Sequence, residues 1–298
     1  MDYVIVTPAY NEAAYITQTI ESVLAQTRLP KRWVIVDDGS TDNTAEIVNR
    51  YAAKHLWIKY IFRRRIPEQS YYASNVHAIA RGVAAVRDVA FGYLAILDAD
   101  ITLPHEYYAT MLQLLSADPK LGIVSGNCVD RIGEKRKRHL YDRRSCPKAI
   151  MVFRRQCYED IGGFVPMKYG GEDTCACFMA RMKGWKTWAC REMLVEHNKP
   201  LGTGPSRNFV KIRFRQGIGE YYLASHPLFF VLKCLRRCVM ESPLVIGGAA
   251  RLAGYMYAHF LAENREIPDE LATYIRREQL LRIMKGNAVP RQFRSEAI

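Results

Sequence analysis

Several signatures that would place a chain at once are absent here. The 298 residues hold no GxxxxGK[ST] P-loop, and no GxGxxG follows the first apolar run. Both common glycine-based phosphate cradles are therefore excluded. No self-similarity at a period of roughly 20–50 residues occurs, and no low-complexity tract, which excludes solenoids and a mainly disordered chain. The eight cysteines form no CxxC pair. Cys175 and Cys177 cannot face one metal from a helix. Cys234 and Cys238 share a helix face but have no further Cys or His at zinc spacing. With no secretion signal in view, free thiols are expected. The opening MDYVIVTPAYNE has neither a basic n-region nor an apolar h-region, so a cytoplasmic protein is expected. The longest apolar stretch, Pro243 to Ala262, carries Arg251 near its middle and three glycines. It suits an interfacial helix better than a spanning one, which needs about 20 nearly uncharged residues.

What is present is an ordinary globular composition, 49% hydrophobic and 24% charged, with a formal net charge of +13. The excess is concentrated. Arg131 to Arg144 holds seven Lys/Arg against two acids, and Pro205 to Met240 holds seven against Glu220 alone. Two basic segments suggest an anionic partner such as phosphate, nucleic acid or lipid headgroups. Two solvated basic faces are the plainer alternative.

Apolar runs alternate with helix-period stretches through the first half. Val4 to Val6, Trp33 to Val36, Ile58 to Phe62 and Tyr93 to Leu97 read as buried strands. Ala13 to Ala25, with Ile16, Ile20, Val23 and Leu24 on one face, reads as a helix. A second helix is expected to open at Ser40-Thr41-Asp42, a third to run from Ser74 to Val86, and a fourth to begin at Pro104. This β-α alternation predicts an α/β fold with a mostly parallel sheet covered on both faces. Further on, Lys148 to Phe153 reads as a strand, Arg154 to Ile161 as a helix stopped by Gly162-Gly163, and Glu172 to Lys183 as a helix. Beyond Pro200 the pattern is helical and basic. A last helix starts after Pro268 and is closed by Arg282 and Lys285 before Gly286.

In a parallel sheet, ligands sit beyond the carboxyl ends of the strands. The polar clusters fall there: Thr7-Pro8-Ala9-Tyr10-Asn11-Glu12, Asp37-Asp38-Gly39-Ser40 and Asp98-Ala99-Asp100. Two carboxylates at a cleft mouth repel each other, so a hard divalent cation is their natural partner. Asp38 reads either as a turn and cap residue or as an acceptor for a nucleobase N–H. Gly170-Gly171-Glu172-Asp173 puts two acids at a helix start, either as dipole compensation or as a general base. His197 is a ligand or a core histidine.

Taken in order, TPAYNE, DDGSTD, DAD, GGED and then His resembles the inverting family 2 glycosyltransferases, over roughly Tyr3 to His197. The resemblance implies a GT-A fold with a Rossmann-like sheet flanked by helices. It implies a catalytic domain over 1–200, with a nucleotide-sugar half over about 1–103 and an acceptor half over 104–200. The helical basic region 201–298 is then a C-terminal appendage. The implied reaction moves a sugar from a nucleotide-diphosphate donor, UDP by default, to an acceptor hydroxyl with inversion. The acceptor would be a lipid-linked or cell-surface glycan precursor. Pro8, Ala9, Tyr10 and Glu12 would line the nucleoside pocket and Asp38 would bind the base, with Asn75 also on the donor side. Asp98 would hold ribose or metal-bound water. Asp100 would ligate the Mn2+ or Mg2+ that holds the diphosphate, with Asp98 and His197 as further candidates. Asp173, paired with Glu172, would be the catalytic base.

Two departures from the family stand out. Relatives carry Ala-Arg-Asn where this chain has Ala73-Ser74-Asn75, so the missing arginine has four substitutes to choose from: Arg63, Arg64, Arg65 and Arg81. The QxxRW of processive synthases is also absent; Gln216-Gly217-Ile218-Gly219-Glu220 lacks the Arg-Trp. Two rival readings remain at this point. A sugar-phosphate nucleotidyltransferase wants a glycine-rich basic loop after the first strand, unlike TPAYNE. A nucleic-acid-binding protein wants aromatics interleaved with the basic residues, and Arg131 to Arg144 offers only Tyr141. The basic, aromatic-rich stretch after Pro200 suits peripheral contact with the anionic inner face of a cytoplasmic membrane; packing on the catalytic core or on a second subunit is the plainer alternative.

Overall fold

The computed structural model describes residues 1–132, 135–138, 142–199, 208–240, 244–261 and 264–285. Tyr141, Pro200, Pro205, Arg207, Pro243, Ala262 and Gly286 lie outside the described residues. The chain divides into two compact units, Met1–Arg207 and Asn208–Ile298.

The first unit is built on a nine-stranded sheet of order β3-β2-β1-β4-β8-β6-β9-β5, with β7 paired to β6. The strands are β1 (Tyr3–Ala9), β2 (Arg32–Asp37), β3 (Ile58–Phe62), β4 (Tyr93–Leu97), β5 (Ile101–Thr102), β6 (Leu121–Ile132), β7 (Lys135–Arg138), β8 (Ile150–Arg154) and β9 (Lys186–His197). The neighbours among β3, β2, β1 and β4 run parallel. β8 then joins β4 antiparallel and pairs antiparallel with β6, while β6 and β9 run parallel. The parallel character expected from the alternation is thus confined to the N-terminal half and to β6–β9, which makes the sheet mixed.

The helices are α1 (Ile16–Leu24), α2 (Thr44–Lys54), α3 (Tyr71–Ala84), α4 (Tyr107–Ala117), α5 (Arg155–Asp160) and α6 (Glu172–Met182). Val4, Val6, Val34, Val36, Leu94 and Ile96 form one sheet face, packed with Val76 and Ile79 of α3. Their neighbours Ile5, Ile35 and Ala95 are equally buried. Both faces being covered, these strands read as unbroken apolar runs. Each such Val or Ile contributes roughly 1.5–3 kcal/mol by leaving water.

Four helix starts differ from expectation: α1 begins at Ile16, after a turn in which the Tyr15 and Ile16 N–H groups donate to the Glu12 carbonyl. α2 begins at Thr44: Ser40 Oγ accepts from the Asn11 N–H, and Asp42 spans the turn, with Oδ2 accepting from the Ala13 N–H and Oδ1 from the Thr44 N–H. α3 begins three residues early, capped by Ser70, whose side chain accepts from the Ala73 N–H. α4 begins at Tyr107, after Pro104 has opened a turn with the Tyr107 N–H.

The second unit holds α7 (Phe209–Tyr222), α8 (Pro227–Met240), α9 (Ile246–Leu261) and α10 (Asp269–Lys285). α9 packs on both α7 and α8. The α7–α9 crossing is close enough to require glycine. A Cβ at Gly217 would sit 1.9 Å from the Arg251 carbonyl oxygen, and one at Gly254 would sit 2.0 Å from that of Phe214. Among the described residues no helix is long and apolar enough to cross a membrane.

Candidate active site

β1, β2 and β4 end side by side, and their carboxyl ends open into a solvent-connected cavity. It is lined by Pro8, Ala9, Tyr10, Glu12, Asp38, Arg65, Tyr71, Asn75, Asp98, Ala99 and Asp100. Every donor-side residue expected from the motifs is therefore in one place, joined by Arg65, one of the four candidate arginines, and by Tyr71, which no motif marked.

The loops after β1 and β2 are laced together. Asn11 takes a left-handed backbone (φ 55) that asparagine tolerates better than most residues. Its side chain accepts from the Thr41 N–H at 2.8 Å. The adjacent aspartates after β2 divide the work. Asp37 holds the turn, accepting from the Ser40 N–H at 2.7 Å and from the Tyr60 hydroxyl at 2.9 Å. Asp38 faces the cavity and gathers cations: Arg63 pairs with Oδ1, while Arg65 (3.2 Å) and the Ser74 hydroxyl (2.6 Å) donate to Oδ2.

Ser74 spends its hydroxyl on Asp38, and Arg63 reaches Ser74 Oγ at 3.1 Å. Of the four substitutes, only Arg65 lines the cavity, with its guanidinium 4.2 Å above the Tyr10 ring and 5.7 Å from that of Tyr71.

The deeper wall is acidic. Glu12 receives Lys199 Nζ on Oε1 at 2.6 Å, while its Oε2 is buried without a hydrogen-bond partner. Burial and then Asp100 push the Glu12 carboxyl up to about 7, against the pull of Lys199. Asn75 Oδ1 is a second buried acceptor with no partner. Asp100 is buried, yet His197 holds its carboxyl below the usual value.

His197 arrives by strand pairing. The short β5 follows Asp100 directly, and Ile101 pairs with His197 of β9. This puts His197 Nε2 3.4 Å from Asp100 Oδ1, with Nδ1 3.5 Å from Asp130 Oδ1. Burial opposes the imidazolium, but Asp100, Asp130 and Asp98 together lift its pKa to about 10.

Glu172, Asp173 and His197 do not line the cavity. Glu172 opens α6 after Gly171, whose φ of 108 belongs to the left-handed region that glycine enters freely. Burial raises both carboxyls of the Glu172–Asp173 pair. Glu172 is the more enclosed of the two, and Asp173 is half-buried. Between this pair and the cavity stands Lys148, a residue with no motif to mark it, whose Nζ donates to Asp98 Oδ1 at 2.6 Å.

The profile described as "Glycosyl transferase family 2" matches residues 4–186. The chain belongs to glycosyl transferase family 2. The poly-beta-1,6-N-acetyl-D-glucosamine synthase of Staphylococcus epidermidis is 30% identical over 118 residues, which are 40% of this chain and 26% of the synthase. The chain thus matches about a quarter of that relative's length. Among solved structures, the mannosyltransferase PcManGT of Pyrobaculum calidifontis, in complex with GDP-Man and Mn2+, aligns with a TM-score of 0.56 at 20% identity, over 97% of this chain and 76% of that one. TarS of S. aureus in complex with UDP-GlcNAc aligns with a TM-score of 0.55 at 15% identity, over 88% and 74%. These likenesses show the GT-A fold for this family 2 chain.

A divalent cation fits the acidic wall in kind. Its donors are hard carboxylate oxygens beside one imidazole, and Glu12 Oε2 and Asn75 Oδ1 are buried acceptors with nothing to accept from. Only Asp100 and His197 are brought together directly, since Asp98 Oδ1 is taken by Lys148. Among the described residues no group of three or more His, Cys, Asp or Glu is gathered as a metal cage. A cation held by two side chains, with its remaining positions filled by phosphate oxygens and water, is the ordinary arrangement for Mg2+.

Proposed function

We propose that this family 2 chain transfers a sugar, with inversion, from a nucleotide-diphosphate donor to an acceptor hydroxyl. The observation that carries the reading is the cavity at the ends of β1, β2 and β4, where an aromatic and arginine layer faces a carboxylate wall. Tyr10, Arg65 and Asp38 suit a nucleoside: a ring and guanidinium to stack on, and a carboxylate to accept a base N–H. UDP is the favoured nucleotide, in keeping with the UDP-GlcNAc held by TarS and the acetylglucosamine polymer named for the staphylococcal relative. Family membership favours glycosyl transfer over the nucleotidyltransferase and nucleic-acid readings.

In the proposed reaction the bond from the anomeric carbon to the diphosphate oxygen breaks as the acceptor oxygen bonds to that carbon from the opposite side. Asp173 takes the acceptor proton. Burial raises its carboxyl, which makes it a better proton acceptor than an exposed aspartate. Asp100, with His197 in its neutral form, would hold Mn2+ or Mg2+, which when bound supplies positive charge to the departing diphosphate.

The acceptor proposed is a lipid-linked or surface glycan precursor, met at an anionic membrane face. α8 turns Leu228, Val231, Leu232, Leu235 and Val239 outward, and α9 turns out Ile246, Met256, Tyr257, Phe260 and Leu261. These positions recur at helical spacing, so each helix carries an outward apolar stripe. α8 has 14 residues, about 21 Å at the helical rise, too short for a hydrocarbon core of ~30 Å. A short helix with Arg236 exposed among leucines suits the interface plane.

A thermal-shift panel of UDP, GDP and dTDP with Mn2+ tests the donor reading, because a ligand that binds only the folded state raises its stability. UDP should give the largest rise. No rise with any nucleotide would remove the proposal.

A further inference from the structure

Lys148 enters the site from outside every motif. It lies in the approach to β8, and β8 pairs antiparallel with β4 so that Ile150 stands opposite Leu97. The Asp98 N–H, one residue further on, donates to the Ala149 carbonyl at 2.9 Å. This register carries Lys148 to the carboxyl end of β4, where the side chain is almost wholly buried, 10% exposed, and its Nζ meets Asp98 Oδ1 at 2.6 Å.

The same residue also meets the other half of the site. The ammonium charge acts on Glu172 and Asp173 as well as on Asp98, and Asp100 feels it too. One buried cation therefore stands among four carboxylates drawn from two separate elements. Lone buried ammonium groups are rare because desolvation is costly, and this one is kept by the acids around it.

We propose that Lys148 is a positioning residue that fixes the Asp98 carboxylate in the site, within the field of the Glu172–Asp173 pair. The inference rests on the proposed glycosyl transfer and deepens it. In an inverting displacement the base and the departing diphosphate lie on opposite sides of the anomeric carbon. A buried residue bonded to Asp98 holds the donor side of that line in place. A misplacement of about 1 Å can cost around 10²-fold in rate. Lys148 also leaves Asp98 Oδ2 as the oxygen not engaged by its ammonium, which orients the carboxylate.

The test uses the full chain and two readouts: UDP affinity by calorimetry in Mn2+, and hydrolysis of UDP-N-acetylglucosamine, with water in place of the acceptor. Lys148→Met should lower turnover by about 10²-fold and weaken UDP binding far less. Lys148→Arg keeps the charge but changes its reach and fork, so it should hold UDP affinity and recover only part of the turnover. Because Lys148 acts through Asp98, the loss from Lys148→Met should nearly vanish in an Asp98→Asn background, a non-additivity read by the double-mutant cycle. If the parent binds UDP while Lys148→Met turns over like the parent, or if its loss adds fully to that of Asp98→Asn, the inference is overturned and the proposed function stands. If the parent binds none of UDP, GDP or dTDP, the proposed function falls and takes this inference with it. Should Lys148→Met not fold, Lys148→Arg carries the test, and parental turnover in that variant overturns the positioning argument.

Discussion

The two units bury their side chains differently. In Met1–Arg207 the apolar residues are almost all inside, and the buried charges converge on one cavity and its neighbours: Glu12, Asp38, Asp100, Lys148, Glu172 and His197. The Asn208–Ile298 unit is less than half as long, yet it carries most of the large apolar side chains left exposed among the described residues. Clustered buried charge is costly and marks chemistry. Clustered exposed apolar surface is also costly and marks contact with something else. Under the proposed function the first unit carries the reaction and the second the attachment, so each should be breakable without the other.

The largest effect belongs to the first unit. Asp100→Ala, or excess chelator on the parent, should abolish transfer while the fold survives, as followed by product formation and circular dichroism. Full turnover in EDTA would separate the acidic wall from metal use.

Next is the base. Asp173→Asn keeps the shape and removes the proton acceptor, so turnover should fall by ~10²–10⁴ with donor affinity little changed. The pH profile sharpens this. A base works ionised, and burial lifts the Asp173 carboxyl above the ordinary aspartate range, so turnover should rise with pH through a raised carboxylate step. Loss in Glu172→Gln without loss in Asp173→Asn would exchange the two roles.

A smaller effect is expected at Asp38. Its removal also frees Arg63, Arg65 and Ser74, so Asp38→Ala should raise the donor KM more than it lowers kcat, the pattern of a contact made equally in ground and transition states. A pure kcat effect argues against base recognition.

The smallest effect on chemistry, and the sharpest on the comparison, comes from the second unit. Leu235→Asp with Phe260→Asp places charge in both outward stripes. Flotation with anionic vesicles should be lost while UDP affinity is kept, and parental binding should weaken with salt. If the parent ignores anionic vesicles at low salt, the stripes cover another protein surface or a second copy of the chain.

How far the molecule was legible beforehand follows the same physics. β1 to β4 are buried on both faces, so Val4 to Val6 or Tyr93 to Leu97 announce themselves as apolar runs ending in polar loops. β6 does not. Its Ser125, Gly126, Asn127 and Asp130 break the run, and its pairing with β9 shifts register twice. The donor side was legible because its residues sit in short contiguous motifs. His197 came through resemblance alone, since its approach to Asp100 depends on the two-residue β5. Lys148 gave no local signal: only the antiparallel placement of β8 beside β4 brings it to Asp98. Arg65 was one of four equal choices until the loop after β3 showed it stacked on Tyr10. Contacts made by neighbours in sequence can be read from the sequence; those made by strand order cannot.

The most direct test of the central claim is the unfolding temperature of the full chain titrated with UDP in Mn2+, beside Asp100→Ala. At a hundredfold excess over Kd, a ligand bound only to the folded state stabilises by about 2.7 kcal/mol, roughly several degrees for a domain of this size. The account predicts that rise for the parent and its loss in Asp100→Ala. An equal rise in both proteins, or none in either, would contradict it.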